Sequence, residues 1–207
     1  MRSRKKIYNI GINDADYVTQ KTVDGVRIIC PYYARWKQML RRCYSAEMVR
    51  ENPTYINCTV CNDWLTFSNF RNWMSNQDWH DKHLDKDILI MGSTEYSPIN
   101  CRFITVETNI LLCHSAQRKN GLPIGVSRGH SGYLYQASIG EQGVNRSLGL
   151  HNDLMFAHRQ WQFAKMKNIA MIASKQEDID IKNALMMRVD IISNHIRMGV
   201  ETKSIHH

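Results

Sequence analysis

The chain has no apolar run approaching the length of a membrane span, and its opening residues, Met-Arg-Ser-Arg-Lys-Lys, carry charge where a secretory leader carries an apolar stretch. Neither a membrane nor an export route is expected. A second Cys-x-x-Cys pair is also missing. The six cysteines are scattered, with one close pair at Cys58 and Cys61. That scatter points to a reduced, cytoplasmic setting. Structural zinc needs four soft ligands, and only Cys101, Cys113 and His114 remain to converge on the pair. Buried thiols beside an aromatic cluster are the simpler expectation. No RNA-type aromatic motif appears, which weighs against an RNA partner.

What is there suits a small basic protein with one modest core or two small ones. The chain has 207 residues, of which 43% are hydrophobic. Its 27 Lys and Arg stand against 19 Asp and Glu, a formal charge of +8. Such a surface attracts phosphate backbones through counterion release. Charge of this size supports a nucleic-acid partner and does not decide it.

The pattern reads as an α+β chain in consecutive parts. Residues 1–30 form a basic tail and a hairpin, with Asp24-Gly25 as its turn. Pro31 opens a helix through Tyr44, with Tyr33, Trp36, Leu40 and Cys43 or Tyr44 on one face. A second helix is expected from Asp63 to Ser75, burying Trp64, Phe67, Phe70 and Trp73 or Met74. Both aromatic stripes read as core, a platform on which a later hairpin can pack. That hairpin is expected to have strands at Leu84–Leu89 and Cys101–Thr105 around a loop at Gly92-Ser93-Thr94. A helix runs from Thr108 to His114. These parts make up a region 31–114, and a polar linker spans 115–123.

After the linker the pattern changes. Strands are expected at Ile124–Arg128, Tyr133–Ile139 and Arg146–Leu150, then a helix capped by Asn152-Asp153. Together they make a three-stranded antiparallel sheet with a packed helix over 124–172. A last helix over 175–200 carries an imperfect stripe from Ile179 to Ile196, with Glu177, Asp178 and Asp180 favourably near its start. The stripe is expected to pack on the preceding helix, which leaves a monomer or a weak homodimer.

The run His83-Leu84-Asp85-Lys86-Asp87, with Asn100 and Asn109, resembles the HNH endonuclease superfamily in its phage-encoded His-Asn-Asn variety. The similarity covers about Leu84 to Leu112. Tyr33-x-x-Trp36-x-x-Met39-x-x-Arg42-Cys43-Tyr44 and Trp64-x-x-Phe67-x-x-Phe70 resemble the leader region of the same proteins. The resemblance implies a ββα-metal fold: a strand ending at Asp85, Asn100 opening the next strand, and Asn109 on the helix. It implies a divalent-metal-dependent endonuclease that nicks double-stranded DNA inside a bacterial host cell. Asp85 and Asn109 would hold one magnesium or manganese ion, and Asn100 would orient the base or brace the loop.

Lys86 stands where the family carries its general-base His. A solvated ammonium cannot take a proton from water, so His83 and Asp87, on the same strand face as Asp85, are the alternative bases or ligands. With Lys86 in that position, the alternative is a catalytically degenerate HNH-type protein acting as a DNA-binding or regulatory factor.

A second resemblance lies downstream, in Gly125-Val126-x-Arg128, Tyr135-x-Ala137-x-Ile139, Ser147-Leu148-Gly149 and a helix with Ala157 and Phe163-Ala164. This pattern is similar to the ethylene-response-factor, or Apetala-type, DNA-binding domain. It implies that the sheet enters the major groove, with Arg128, Tyr133, Tyr135 and Arg146 as contacts. Those basic strands are expected on the side away from the helix.

Overall fold

The computed structural model describes residues 6–112, 121–130, 132–141 and 143–205. The chain is mixed α and β and divides into two compact units, 1–104 and 105–207. Among the described residues, no helix is long and apolar enough to cross a membrane.

The first unit opens on a hairpin of β1 (Gln20–Val23) and β2 (Val26–Ile29), paired antiparallel in register Val23 to Val26. Its two-residue turn needs positive φ at both positions, and Asp24 and Gly25 supply 50° and 76°. Helix α1 (Pro31–Tyr44) starts on a proline, whose missing N–H costs nothing there. It buries Tyr33, Trp36, Met39, Leu40 and Cys43 and ends on Arg41 and Arg42, favourable to the helix dipole. Helix α2 (Ala46–Glu51) is capped by Ser45, whose Oγ accepts from the Met48 N–H.

The expected helix over 63–75 is broken in two. Asn62–Leu65 form a 3₁₀ turn, Thr66 is extended, and α3 (Phe67–Ser75) comes after it. The cause is distant in sequence: Ile12 bridges Thr66, donating to the Leu65 carbonyl and accepting from the Phe67 N–H. Those bonds hold Thr66 out of helical geometry.

The platform's core forms one aromatic cluster in which Trp36, Trp64, Phe67, Phe70 and Met74 are essentially inaccessible. Trp64 stands edge-on to Phe70 at 5.1 Å, and the Trp36 indole donates to the Trp64 carbonyl at 2.6 Å. Cys58 and Cys61 belong to this cluster, and burial raises both thiol pKa values. Cys113 and His114, which could join them only in the disfavoured zinc arrangement, lie outside the described residues.

Against this platform lie two small sheets. Strand β3 (Thr59–Val60) pairs in parallel with β5 (Glu95–Tyr96). Strand β4 (Lys82–Asp85) pairs with β6 (Arg102–Thr105). The strand expected to run to Leu89 thus ends four residues earlier, at Asp85.

The second unit begins with α4 (Val106–Leu112), two residues ahead of the expected start. Thr105 caps it, its Oγ1 accepting the Thr108 N–H at 3.1 Å. Most of the expected linker falls outside the described residues. Strands β7 (Val126–Arg128), β8 (Tyr135–Glu141) and β9 (Val144–His151) form an antiparallel sheet in that order, with a bulge between Ala137 and Ser138. Helix α5 (Leu154–Ser174) is capped by Asp153 and packs on the sheet through Ala157 against Val126 and Ala137. Gly125, at φ +79°, sits where a Cβ would lie 2.1 Å from the Trp161 ring. Helix α6 (Ile179–Met198), capped by Asp178 and closed by Gly199 at φ +68°, packs along α5.

The segment after α6 folds back onto α5. His158, 0% exposed, accepts the Thr202 N–H on Nε2 at 3.0 Å, so its Nδ1 carries the proton given to the Ile124 carbonyl at 2.9 Å. Gln162 adds bonds to the Val200 carbonyl and the Thr202 hydroxyl.

Candidate functional site

The end of β4 gathers five of the six residues expected in catalysis. His83 and Asp85 share one face of the strand, and Leu84 turns into the core. The strand stops because Asp85 turns the chain itself. Its Oδ1 accepts the backbone N–H groups of Asp87 at 2.8 Å and Ile88 at 2.6 Å, a side-chain-capped turn. Asp87 therefore lies beyond the strand and does not share the face of Asp85 by alternation, contrary to the sequence reading.

Lys86 is not solvated. It is 7% exposed, and its ammonium donates to both Asp87 oxygens at 2.8 and 2.9 Å and to the Ser93 carbonyl at 2.5 Å. Three donors meet three acceptors, which leaves Lys86 as a brace for the loop after β4 and engages the Asp87 carboxylate. Asn100 braces the same loop from the other side. Its amide donates to the Ser93 hydroxyl and the Glu95 carbonyl, both at 3.1 Å.

Arg42, missed in the sequence reading as a site residue, crosses from α1 to this region. It donates to the Leu84 carbonyl at 3.3 Å and the Tyr96 hydroxyl at 3.4 Å. Desolvation opposes its charge, but the facing Tyr96, Tyr55 and Asp85 outweigh that and raise its pKa. The signal available was Arg35 and Arg42 seven positions apart on α1, beside the aromatic stripe.

Asn109 lies on α4, partly exposed, in the second unit, whereas Asp85 and Asn100 belong to the first. Among the described residues, no three His, Cys, Asp or Glu side chains group as metal ligands. The expected donor set is of another kind, one carboxylate and one amide oxygen. The Asp85 carboxylate fits a hard cation in character: it is anionic, and two backbone N–H groups fix its orientation.

In the second unit the sheet register corrects the expected DNA face. Ala137 and its partner Val126 point to α5, so Tyr135 and Ile139, two residues either side, point the same way. Arg128 pairs with Tyr135 and Arg146 with Ile139, which puts both on the helix side. Glu141, on that side too, accepts from Asn168 of α5 at 2.9 Å and from Arg146 at 2.7 and 2.8 Å. These bonds pull the Glu141 pKa down to about 2. The Arg128 guanidinium lies 5.3 Å from the Tyr135 ring centre. Tyr133, 88% exposed, stands in the loop before β8. The opposite face carries Ser127, Gln136 and Leu150, without charge.

No protein-family model, curated protein or solved structure matches the chain. The arrangement defines a mixed α and β protein whose conspicuous polar constellation surrounds the end of β4.

Proposed function

We propose that the chain is an HNH-type endonuclease that hydrolyses phosphodiester bonds of double-stranded DNA, one strand at a time, with one magnesium or manganese ion. The observation that carries this reading is Asp85, which closes a strand paired to β6, with helix α4 next in sequence. That order of elements agrees with the ββα arrangement the resemblance implies. The net charge of +8 suits a phosphate-backbone partner.

Asp85 would hold the ion through a carboxylate already oriented by backbone N–H groups, and the resemblance gives Asn109 as the second ligand. When bound, such an ion stabilises charge at the phosphorus and on the departing 3′ oxygen. His83, on the face of Asp85, takes the proton from the attacking water. Lys86 has each donor engaged, and Asp87 accepts from Lys86, so neither suits that task. Asn100 keeps the loop in place. Arg128 and Tyr133, exposed at the β7–β8 end, contact the duplex.

One observation favours a second reading. A lysine buried in an ion pair fills the base position, as it would in a degenerate HNH-type protein that binds DNA or regulates without cutting. Supercoiled plasmid incubated with magnesium or manganese separates the two. The nuclease reading expects metal-dependent open circles from the wild type, and their loss in Asp85→Ala, Asn109→Ala and His83→Ala. Plasmid bound but never relaxed, at any metal concentration, gives the second reading.

A further inference from the structure

We propose that the cavity between α1 and β4 is a binding site for a phosphoryl oxyanion, gripped chiefly by Arg35. The cavity measures about 40 Å³ and is lined by Arg35, Gln38, Met39, Arg42, His83 and Leu84. One water-sized group needs roughly 10–15 Å³, so about three fit, room for the two non-bridging oxygens of a phosphodiester or for part of a free phosphate.

The charges on its walls carry the inference. Arg35, Gln38 or Met39, and Arg42 recur at helical spacing, so α1 turns two guanidinium groups to one space. Neither has a carboxylate partner among the described residues. Arg42 bonds only the neutral Leu84 carbonyl and Tyr96 hydroxyl, and half-buried Arg35 has no hydrogen bond or ion pair among the described residues. Asp85 acts on Arg42 through space and, with Tyr96 and Tyr55, favours its charge. Two guanidinium groups turned to one space give it a positive field, and an anion entering the cavity is attracted to both. Buried Met39 and Leu84 keep the dielectric low and the attraction strong. Arginine's planar fork meets two phosphate oxygens at once.

The oxyanion is either a backbone phosphate of a DNA strand or free inorganic phosphate. The first source rests on the nuclease reading, since Leu84 borders both this cavity and Asp85; the anion site itself does not. The full chain, labelled with ¹⁵N, is titrated with inorganic phosphate and separately with a short DNA duplex. Backbone amide shifts at 35–42 and 83–84 are followed, in wild type, Arg35→Gln, Gln38→Glu and, as a charge control on α2, Arg50→Gln.

Saturable shifts are expected in wild type and Arg50→Gln, with affinity at least tenfold weaker in the other two. If the source is DNA, the duplex displaces phosphate, and Arg35→Gln lowers the log–log salt slope of duplex binding by about 0.9. If phosphate is saturable but not displaced, the site takes the free anion. The same spectra show whether each variant is folded. The proposal is overturned if neither ligand shifts those amides saturably, or if Arg35→Gln and Gln38→Glu bind like wild type. Nicking is not part of the readout, so a wild type that never cuts DNA leaves this site standing.

Discussion

Two polar clusters, one in each unit, are built differently. In the second, buried His158, Gln162 and Thr202 satisfy one another and the backbone, and together they fasten the segment after α6 to α5. In the first, the end of β4 sets braced groups beside two guanidinium groups that line a cavity. Lys86 and Asn100 are matched to acceptors, while Arg35 and Arg42 face a cavity with no carboxylate partner among the described residues. A fully matched network does structural work, because any loss leaves a buried group bare. A guanidinium that lines a cavity without a carboxylate beside it is open to an incoming oxyanion. The distinction separates braces from binding residues around the end of one strand.

Four measurements can break or sharpen that contrast. Lys86→Met removes a brace and strands Asp87 and the Ser93 carbonyl. With Asp87 about a third exposed, solvent softens the loss to about 3 kcal/mol, read by urea unfolding. A change below about 0.5 kcal/mol would mean Lys86 holds nothing.

His158→Phe bares the Ile124 carbonyl and the Thr202 N–H, at roughly 1–3 kcal/mol. It also removes a pH effect. Burial lowers the His158 pKa below 6.5, so on acidification the unfolded chain takes this proton first. The wild type is therefore fully stabilised above pH 6.5 and loses stability as pH falls from there through the folded pKa. Thermal melts that keep the same acid slope in His158→Phe would refute this.

Arg35→Gln, by contrast, leaves stability within about 0.5 kcal/mol of wild type while weakening anion binding. A strongly destabilised Arg35→Gln would make Arg35 another brace. The smallest effect is on Glu141. Arg146→Gln brings its pKa up from about 2 toward the ordinary 4.5, visible by carboxyl-carbon NMR titration. No movement would mean that Asn168 alone sets it.

Local chemistry explains what could be read before folding. Asp24-Gly25 announced its turn because few dipeptides tolerate two positive φ angles, and the Tyr33–Trp36–Leu40 stripe announced α1 by period. What failed depended on partners far along the chain. Thr66 breaks a helix pattern because of Ile12, and no window around residue 66 contains that bond. The stop at Asp85 rests on a side chain bonding its own backbone, which alternation cannot reveal. The basic strands were expected on the side away from the helix. Register instead turns Arg128 and Arg146 to the helix side, where Tyr135 and Glu141 receive them. Lys86 looked like a surface lysine because its acceptor at Ser93 arrives only when the loop closes.

The central claim is that Asp85 anchors a divalent cation at the end of β4, and manganese counts it directly. Electron paramagnetic resonance of the full chain titrated with manganese, with and without duplex DNA, should show one bound ion in the wild type. Asp85→Ala should abolish it, and Arg35→Gln should keep it. A wild type that binds no manganese under either condition, or an Asp85→Ala chain that binds it equally well, would contradict the account.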